Sequence, residues 1–143
     1  MRILVSGTGY VGLVTGVGLA KIGHDVICID KDNDKISKLK NGVIPIYEPG
    51  LKEILSEAHL NKKISFSTNL SNSIQNSQII FIAVGTPQND NNGSADLSFV
   101  YQVADEIAKS INNYKVIVTK STVPVGTGKQ IGAIIKKHKP ELE

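Results

Sequence analysis

The stretch that decides the fold is Gly7-Thr8-Gly9-Tyr10-Val11-Gly12, set directly behind the apolar run Ile3-Leu4-Val5. The run reads as a buried strand. Tyr10 opens a helix that runs over residues 10–22 and stops near Gly23. Glycines at this spacing, in a turn from strand to helix, are the pattern by which a backbone wraps a dinucleotide pyrophosphate. Gly7 permits the tight turn, and Gly9 lacks a Cβ, so a diphosphate can approach the backbone. Gly12 lets helix and strand pack closely. The free N–H groups and the dipole at the helix start then face the phosphate charge. The competing reading is a glycine-rich turn that only packs a helix. The strand before the motif and the helix after it favour the phosphate loop.

The next apolar run, Val26-Ile27-Cys28-Ile29, ends at Asp30, 18 residues beyond Gly12. A carboxylate there can accept hydrogen bonds from both hydroxyls of an adenosine ribose. It also repels a 2′-phosphate, so NAD is favoured over NADP. Lys31, its neighbour, pulls slightly the other way. The competing reading is that Asp30 only caps the helix that begins near Asp32. Lys35 lies near the start of that helix, within reach of the ribose or phosphate, although a solvated helix residue is the simpler reading.

Outward from these two signals, apolar runs alternate with helix-like segments. Strands are predicted at Ile64-Ser65-Phe66, over residues 79–84 and at Val116-Ile117-Val118. Helices are predicted over residues 32–40, from Gly50 through about Ala58, over 97–111 and over 128–138, with a polar short helix or turn over 69–76. Residues 88–94, rich in Asn, Asp and Gly, read as a loop. Runs apolar on both faces, alternating with helices, predict an α/β domain with a doubly wound parallel sheet and helices on both faces. In such sheets ligands lie beyond the carboxyl ends of the strands. Gly85-Thr86-Pro87 and Ser121-Thr122-Val123-Pro124 each follow a predicted strand and should converge there with the glycine loop. Thr86 and Thr122 are small donors suited to a nicotinamide-ribose region. Ordinary turn chemistry explains them equally well.

Composition limits the alternatives. The chain has 143 residues, 41% hydrophobic and 20% charged, with a net charge of +3. That is one domain's worth of core, and the charge surplus does not argue for nucleic acid. Lys136, Lys137, His138 and Lys139 suit a helix C-terminus. Residues 3–20 carry no charge and resemble a signal or spanning segment, but the glycines at 7, 9, 12, 16 and 18 follow the phosphate-loop pattern instead, so no membrane partner is expected. Cys28 is the one cysteine. It fits a reducing, cytoplasmic setting and reads as packing. His24, His59 and His138 show no metal-ligand spacing with carboxylates, and no metal site is expected.

Together these residues resemble the NAD-binding domain of the UDP-glucose/GDP-mannose dehydrogenase family, to which UDP-glucose 6-dehydrogenases belong. The matching elements are the glycine loop through Leu13, Asp30 with Lys35, Asn41-Gly42, and Ile46-Tyr47-Glu48-Pro49-Gly50-Leu51. They continue with Val84-Gly85-Thr86-Pro87, Ala95-Asp96-Leu97-Ser98 and Lys120-Ser121-Thr122-Val123-Pro124-Val125-Gly126-Thr127. The glycine loop is shared by many oxidoreductases, whereas the Tyr47 and Lys120 stretches are far more specific. The latter argues against another Rossmann enzyme such as a 3-hydroxyacid dehydrogenase.

The resemblance implies a Rossmann fold over residues 1–143 and oxidation of UDP-glucose to UDP-glucuronate in two hydride transfers to two NAD+. It implies that Val11 offers a backbone N–H to the pyrophosphate and that Asp30 and Lys35 bind the adenosine side. It places Thr86 and Thr122 by the cofactor, Thr122 near the reacting centre. The family's nucleophilic cysteine, in a Gly-rich Cys-Phe-Pro motif, is absent here, as are its partner lysine, asparagine and aspartate. So are its Asn-Pro-Glu-Phe-Leu glutamate, the central helix and the UDP-sugar domain. Cys28 matches no such motif. The chain is therefore expected to be a piece of a longer enzyme that binds NAD without turning over. The full-length enzyme is expected to be a homodimer, and the piece a monomer. The Ile46 to Pro49 stretch leans toward UDP-glucose. GDP-mannose, UDP-N-acetylmannosamine, or a free-standing NAD-binding regulatory module remain as alternatives.

Overall fold

The computed structural model describes residues 1–89 and 93–141. Its elements run β1 (Arg2–Ser6), α1 (Tyr10–Lys21), β2 (Asp25–Ile29), α2 (Asn33–Lys40), α3 (Leu51–Leu60), β3 (Ile64–Ser67), α4 (Leu70–Asn76), β4 (Ile79–Ile82), α5 (Ser98–Ser110), β5 (Val116–Thr119) and α6 (Thr127–His138). The five strands form one parallel sheet in the order β3-β2-β1-β4-β5.

Alternation along each strand divides the apolar side chains between two cores. β1 sends Ile3 and Val5 to one face and Leu4 to the other, and β2 sends Val26 and Cys28 one way and Ile27 and Ile29 the other. On the first face these meet Leu13 and Val17 of α1, Leu39 of α2 and Leu55 of α3. On the second they meet Ile74 of α4, Val100 and Ile107 of α5 and Ile131 of α6. A parallel sheet needs cover on both faces, and the continuous apolar runs supply it. The expected α/β Rossmann-type architecture is the one observed.

The topology places the site. The chain winds outward from β1 through β2 to β3, then returns past β1 to lay down β4 and β5. The direction of winding reverses between β1 and β4, which opens a crevice at their carboxyl ends.

Most elements start or stop within a residue or two of the sequence reading, and β4 is among the larger differences. β4 ends at Ile82 and does not reach Val84: the Lys120 N–H makes the last ladder bond to the Ile82 carbonyl (2.8 Å), the Ser121 N–H turns back to the same carbonyl (3.0 Å), and the Ser121 hydroxyl donates to the Val84 carbonyl. The expected loop over residues 88–94 falls partly outside the described residues; its flanks pair as an antiparallel bridge between Gln88 and Ala95. Residues 3–20 divide into β1, the glycine turn and most of α1, and among the described residues no helix is long and apolar enough to cross a membrane. His59 packs its ring edge-on against Phe66 at 5.6 Å. Cys28 is wholly buried, and burial pushes its thiol up to about 12.

Candidate functional site

The glycine loop is shaped by what a side chain at each place would strike. Gly7 has φ +103°, and a Cβ there would lie 2.5 Å from the Ala83 carbonyl oxygen. A Cβ on Gly12 would lie 1.9 Å from the Gly7 carbonyl oxygen. Gly12 thus seats α1 on the loop itself, closer than the helix-to-strand packing expected from sequence. Gly9 is the opposite case. It is exposed, and a Cβ there would meet nothing within 4 Å. The Gly9 carbonyl begins the helix by accepting from Leu13 at 2.9 Å, but no side chain among the described residues caps α1. Among the described residues no acceptor takes the N–H groups of Tyr10 and Val11. A helix start with bare donors beside an open backbone fits a phosphate group.

Asp30 directly follows β2 and turns its carboxylate toward this loop. Its Oδ2 accepts from the Thr8 hydroxyl at 2.7 Å, the Thr8 N–H at 3.0 Å and the Lys35 ammonium at 3.4 Å. Its Oδ1 accepts from the Asp32 N–H at 3.1 Å. Burial alone would raise its pKa; the Thr8 hydroxyl and N–H, the Asp32 N–H and the Lys35 charge outweigh burial and hold the carboxyl below its ordinary range. The cap of α2 is Asp32, whose Oδ1 accepts from the Lys35 N–H at 3.0 Å. Asp30 is therefore not a cap but a charged acceptor facing the crevice. The Thr8 amide is spent on it, so the donors left for an anion begin beyond Thr8.

The crevice itself is an open cleft of about 650 Å³, within the range of small-molecule and cofactor sites. Gly7, Gly9, Asp30 and Lys35 of the predicted residues line it. Tyr10 and Val11 stand at the exposed start of α1, and Gly12 is buried beneath the loop. The far wall was not anticipated. It is α5, which presents Phe99, Gln102, Val103, Asp105 and Glu106. Lys31 reaches across with its ammonium 4.4 Å from the Phe99 ring centre, so this cation is engaged on an aromatic face. The signal for the wall was present in the spacing of 99, 102, 103 and 106, one stripe of a helix. What sequence lacked was the topology that brings that stripe opposite β2.

Thr86 and Thr122 lie outside this cleft but meet one another. The Thr86 hydroxyl donates to the Thr122 carbonyl at 3.0 Å. Beside them the Ser121 hydroxyl donates to the Val84 carbonyl at 2.7 Å, tying the end of β5 to the exit of β4. The Thr122 side chain is exposed. At the far end of α6, His138 Nε2 stands 3.2 Å from Asp105 Oδ1, a helix-to-helix tie. Among the described residues no three His, Cys, Asp or Glu side chains are grouped to hold a metal ion.

Comparison with known proteins fits this geometry. The model of the UDP-glucose/GDP-mannose dehydrogenase family, NAD binding domain, matches residues 1–143. The chain belongs to that family. Its cofactor is accordingly NAD. A UDP-glucose 6-dehydrogenase of Rhizobium meliloti is 49% identical over 143 residues, covering 100% of this chain and 33% of the relative. The solved GDP-mannose dehydrogenase of Pseudomonas aeruginosa superposes with a TM-score of 0.92 at 33% identity, over 99% of this chain and 33% of that one. A UDP-N-acetyl-mannosamine dehydrogenase of Staphylococcus aureus superposes at 0.86 with 34% identity, over 96% of this chain and 33% of its own. The chain thus spans about a third of the length of these nucleotide-sugar dehydrogenases.

Proposed function

We propose that the chain is the cofactor-binding part of a UDP-glucose 6-dehydrogenase. In this reading Gly7, Gly9, Tyr10, Val11 and Gly12 form the pyrophosphate seat. Asp30 and Lys35 take the adenosine ribose. Thr86 and Thr122 stand on the nicotinamide side, Thr122 towards the reacting centre. The observation that carries the reading is the open face of Gly9 beside the bare N–H groups of Tyr10 and Val11, with the Asp30 carboxylate held next to the loop on the same side of the cleft. Bound there, NAD+ supplies the hydride acceptor, and the protein supplies placement and electrostatics.

The full enzyme, on this reading, is a cytoplasmic homodimer that converts UDP-glucose to UDP-glucuronate with two NAD+. The chain alone binds NAD+ without turnover. Its sole cysteine, Cys28, is buried with the thiol pushed up to about 12, so it offers no thiolate for a covalent intermediate. A different nucleotide sugar is the second reading, supported by the likeness to dehydrogenases of GDP-mannose and UDP-N-acetyl-mannosamine.

Thermal melting tests the first claim: millimolar NAD+ is expected to raise the Tm, by mass action on the folded state. An unshifted Tm, together with no heat in titration calorimetry, overturns it. The second claim is tested by incubating the chain with NAD+ and UDP-glucose, where no NADH should form.

A further inference from the structure

We propose that Thr8 is a positioning residue for nucleotide recognition: its hydroxyl and its backbone N–H together hold the Asp30 carboxylate in the orientation that grips the ribose. The inference rests on the reading of Asp30 as the ribose acceptor. It adds a residue that the glycine pattern leaves unspecified, because Thr8 occupies a free place between two of the required glycines.

The geometry is specific. Thr8 is 0% exposed, in a loop whose next residue, Gly9, is open to solvent. A buried hydroxyl needs a partner, and this one donates to Asp30 Oδ2 at 2.7 Å. The Thr8 N–H donates to the same oxygen at 3.0 Å, so one residue grips one carboxylate oxygen twice. Lys35 approaches that oxygen as well, at 3.4 Å. Oδ2 is therefore fully used. Among the described residues Oδ1 accepts only from the Asp32 N–H, at 3.1 Å, and keeps acceptor capacity for an incoming hydroxyl.

Charge-assisted bonds of this kind are the strong ones, and two from one residue stop the carboxylate rotating. A ligand then meets an acceptor already aimed and need not order it on binding. The contact also fixes two subsites at once, since Thr8 belongs to the glycine loop and Asp30, 22 residues on, stands directly beside it at the end of β2. Lys35 of α2 and Lys31 in the turn are the cations near Asp30; Asp105 and Glu106 of α5, the acids on the opposite wall, are engaged with Lys109.

The test compares Thr8→Val, Thr8→Ser and Asp30→Asn in the full chain by titration calorimetry. The ligands are NAD+ and an NAD+ analogue lacking the 2′-hydroxyl of the adenosine ribose. Thr8→Val keeps the shape of the side chain and removes the donor. It is expected to weaken NAD+ about tenfold, the scale of one charge-assisted hydrogen bond. Thr8→Ser, which keeps the donor, should bind NAD+ nearly as the parent does. On the deoxy analogue the Thr8→Val loss should shrink, because the carboxylate then has less to grip.

Equal losses on both ligands overturn the proposal by showing a purely structural role, and so does unchanged NAD+ affinity in Thr8→Val. If Thr8→Val melts below the working temperature, Thr8→Ala gives the same reading without the extra methyl groups. Unchanged affinity in Asp30→Asn overturns the ribose reading itself, whereas a weakened Asp30→Asn beside an intact Thr8→Val overturns only the role of Thr8.

Discussion

The two halves of the carboxyl edge are built differently. The half at β1 and β2 is crowded: Gly12 has no room for a methyl group, Gly7 lies against the exit of β4, and the Asp30 carboxylate is held by four donors. The half at β4 and β5 is loose. A Cβ on Gly85 would meet nothing within 4 Å, and Thr86 and Thr122 share one hydrogen bond in a partly exposed setting. The first half is a preformed mould. The second is a pair of loops joined by a few side-chain ties. On the proposed function this first half takes phosphate and ribose, whose recognition needs fixed donors and acceptors that tolerate little displacement.

Matched substitutions on the two sides break or sharpen this contrast. Gly12→Val is expected to show the largest effect, because its Cβ would be driven into the Gly7 carbonyl at 1.9 Å. A loss of at least about 1–3 kcal/mol, the cost of overpacking a tight site, should appear in urea unfolding, with NAD+ binding lost alongside. Asp30→Asn comes next: NAD+ affinity should fall by about 1–3 kcal/mol in titration calorimetry, as for removing a charged hydrogen-bond partner. Thr86→Val, on the loose side, removes one bond near solvent and should cost about 0.5–1 kcal/mol of stability by chemical denaturation. Gly85→Ala should change stability by less than about 0.5 kcal/mol, as for an unconstrained surface position. If Gly85→Ala matches Gly12→Val, the distinction between mould and loops is lost.

Acid titration probes the same contrast. Asp30 has its carboxyl held below the ordinary range in the folded protein, so its contribution is complete above the unfolded value of about 3.9 and disappears as pH falls through the lowered folded value. The difference in Tm between the parent and Asp30→Asn should be constant near neutrality and close below about pH 4. A difference that stays constant into strong acid would mean that Asp30 is not stabilised in its charged form.

Much of the fold was legible because local pattern and burial agree. Val26-Ile27-Cys28-Ile29 is apolar on both faces and became a central strand, and Asp32 and Asn69 cap helices where short polar side chains usually do. The glycine loop was legible because its pattern lies within six residues, although the contact that bars a side chain at Gly7 is with Ala83, far along the chain. Two things were hidden. The end of β4 depends on Ser121, far along the chain, turning its N–H back to Ile82 and its hydroxyl to Val84. The α5 wall, with Lys31 seated on Phe99, depends on a crossover that no local periodicity encodes. The Thr8–Asp30 contact was hidden for a different reason: motif reading assigns duties to the glycines and passes over the residue between them.

β1 lies at the centre of the sheet and is paired along its length by β2 on one side and β4 on the other. Its amides are thus shielded twice, by neighbouring strands and by the helical layers above and below. The glycine loop springs from the last residue of this strand, Ser6, without an intervening linker. Its anchorage should be among the last parts of the molecule to exchange amide hydrogens with deuterated water, because that end opens only when the whole sheet does.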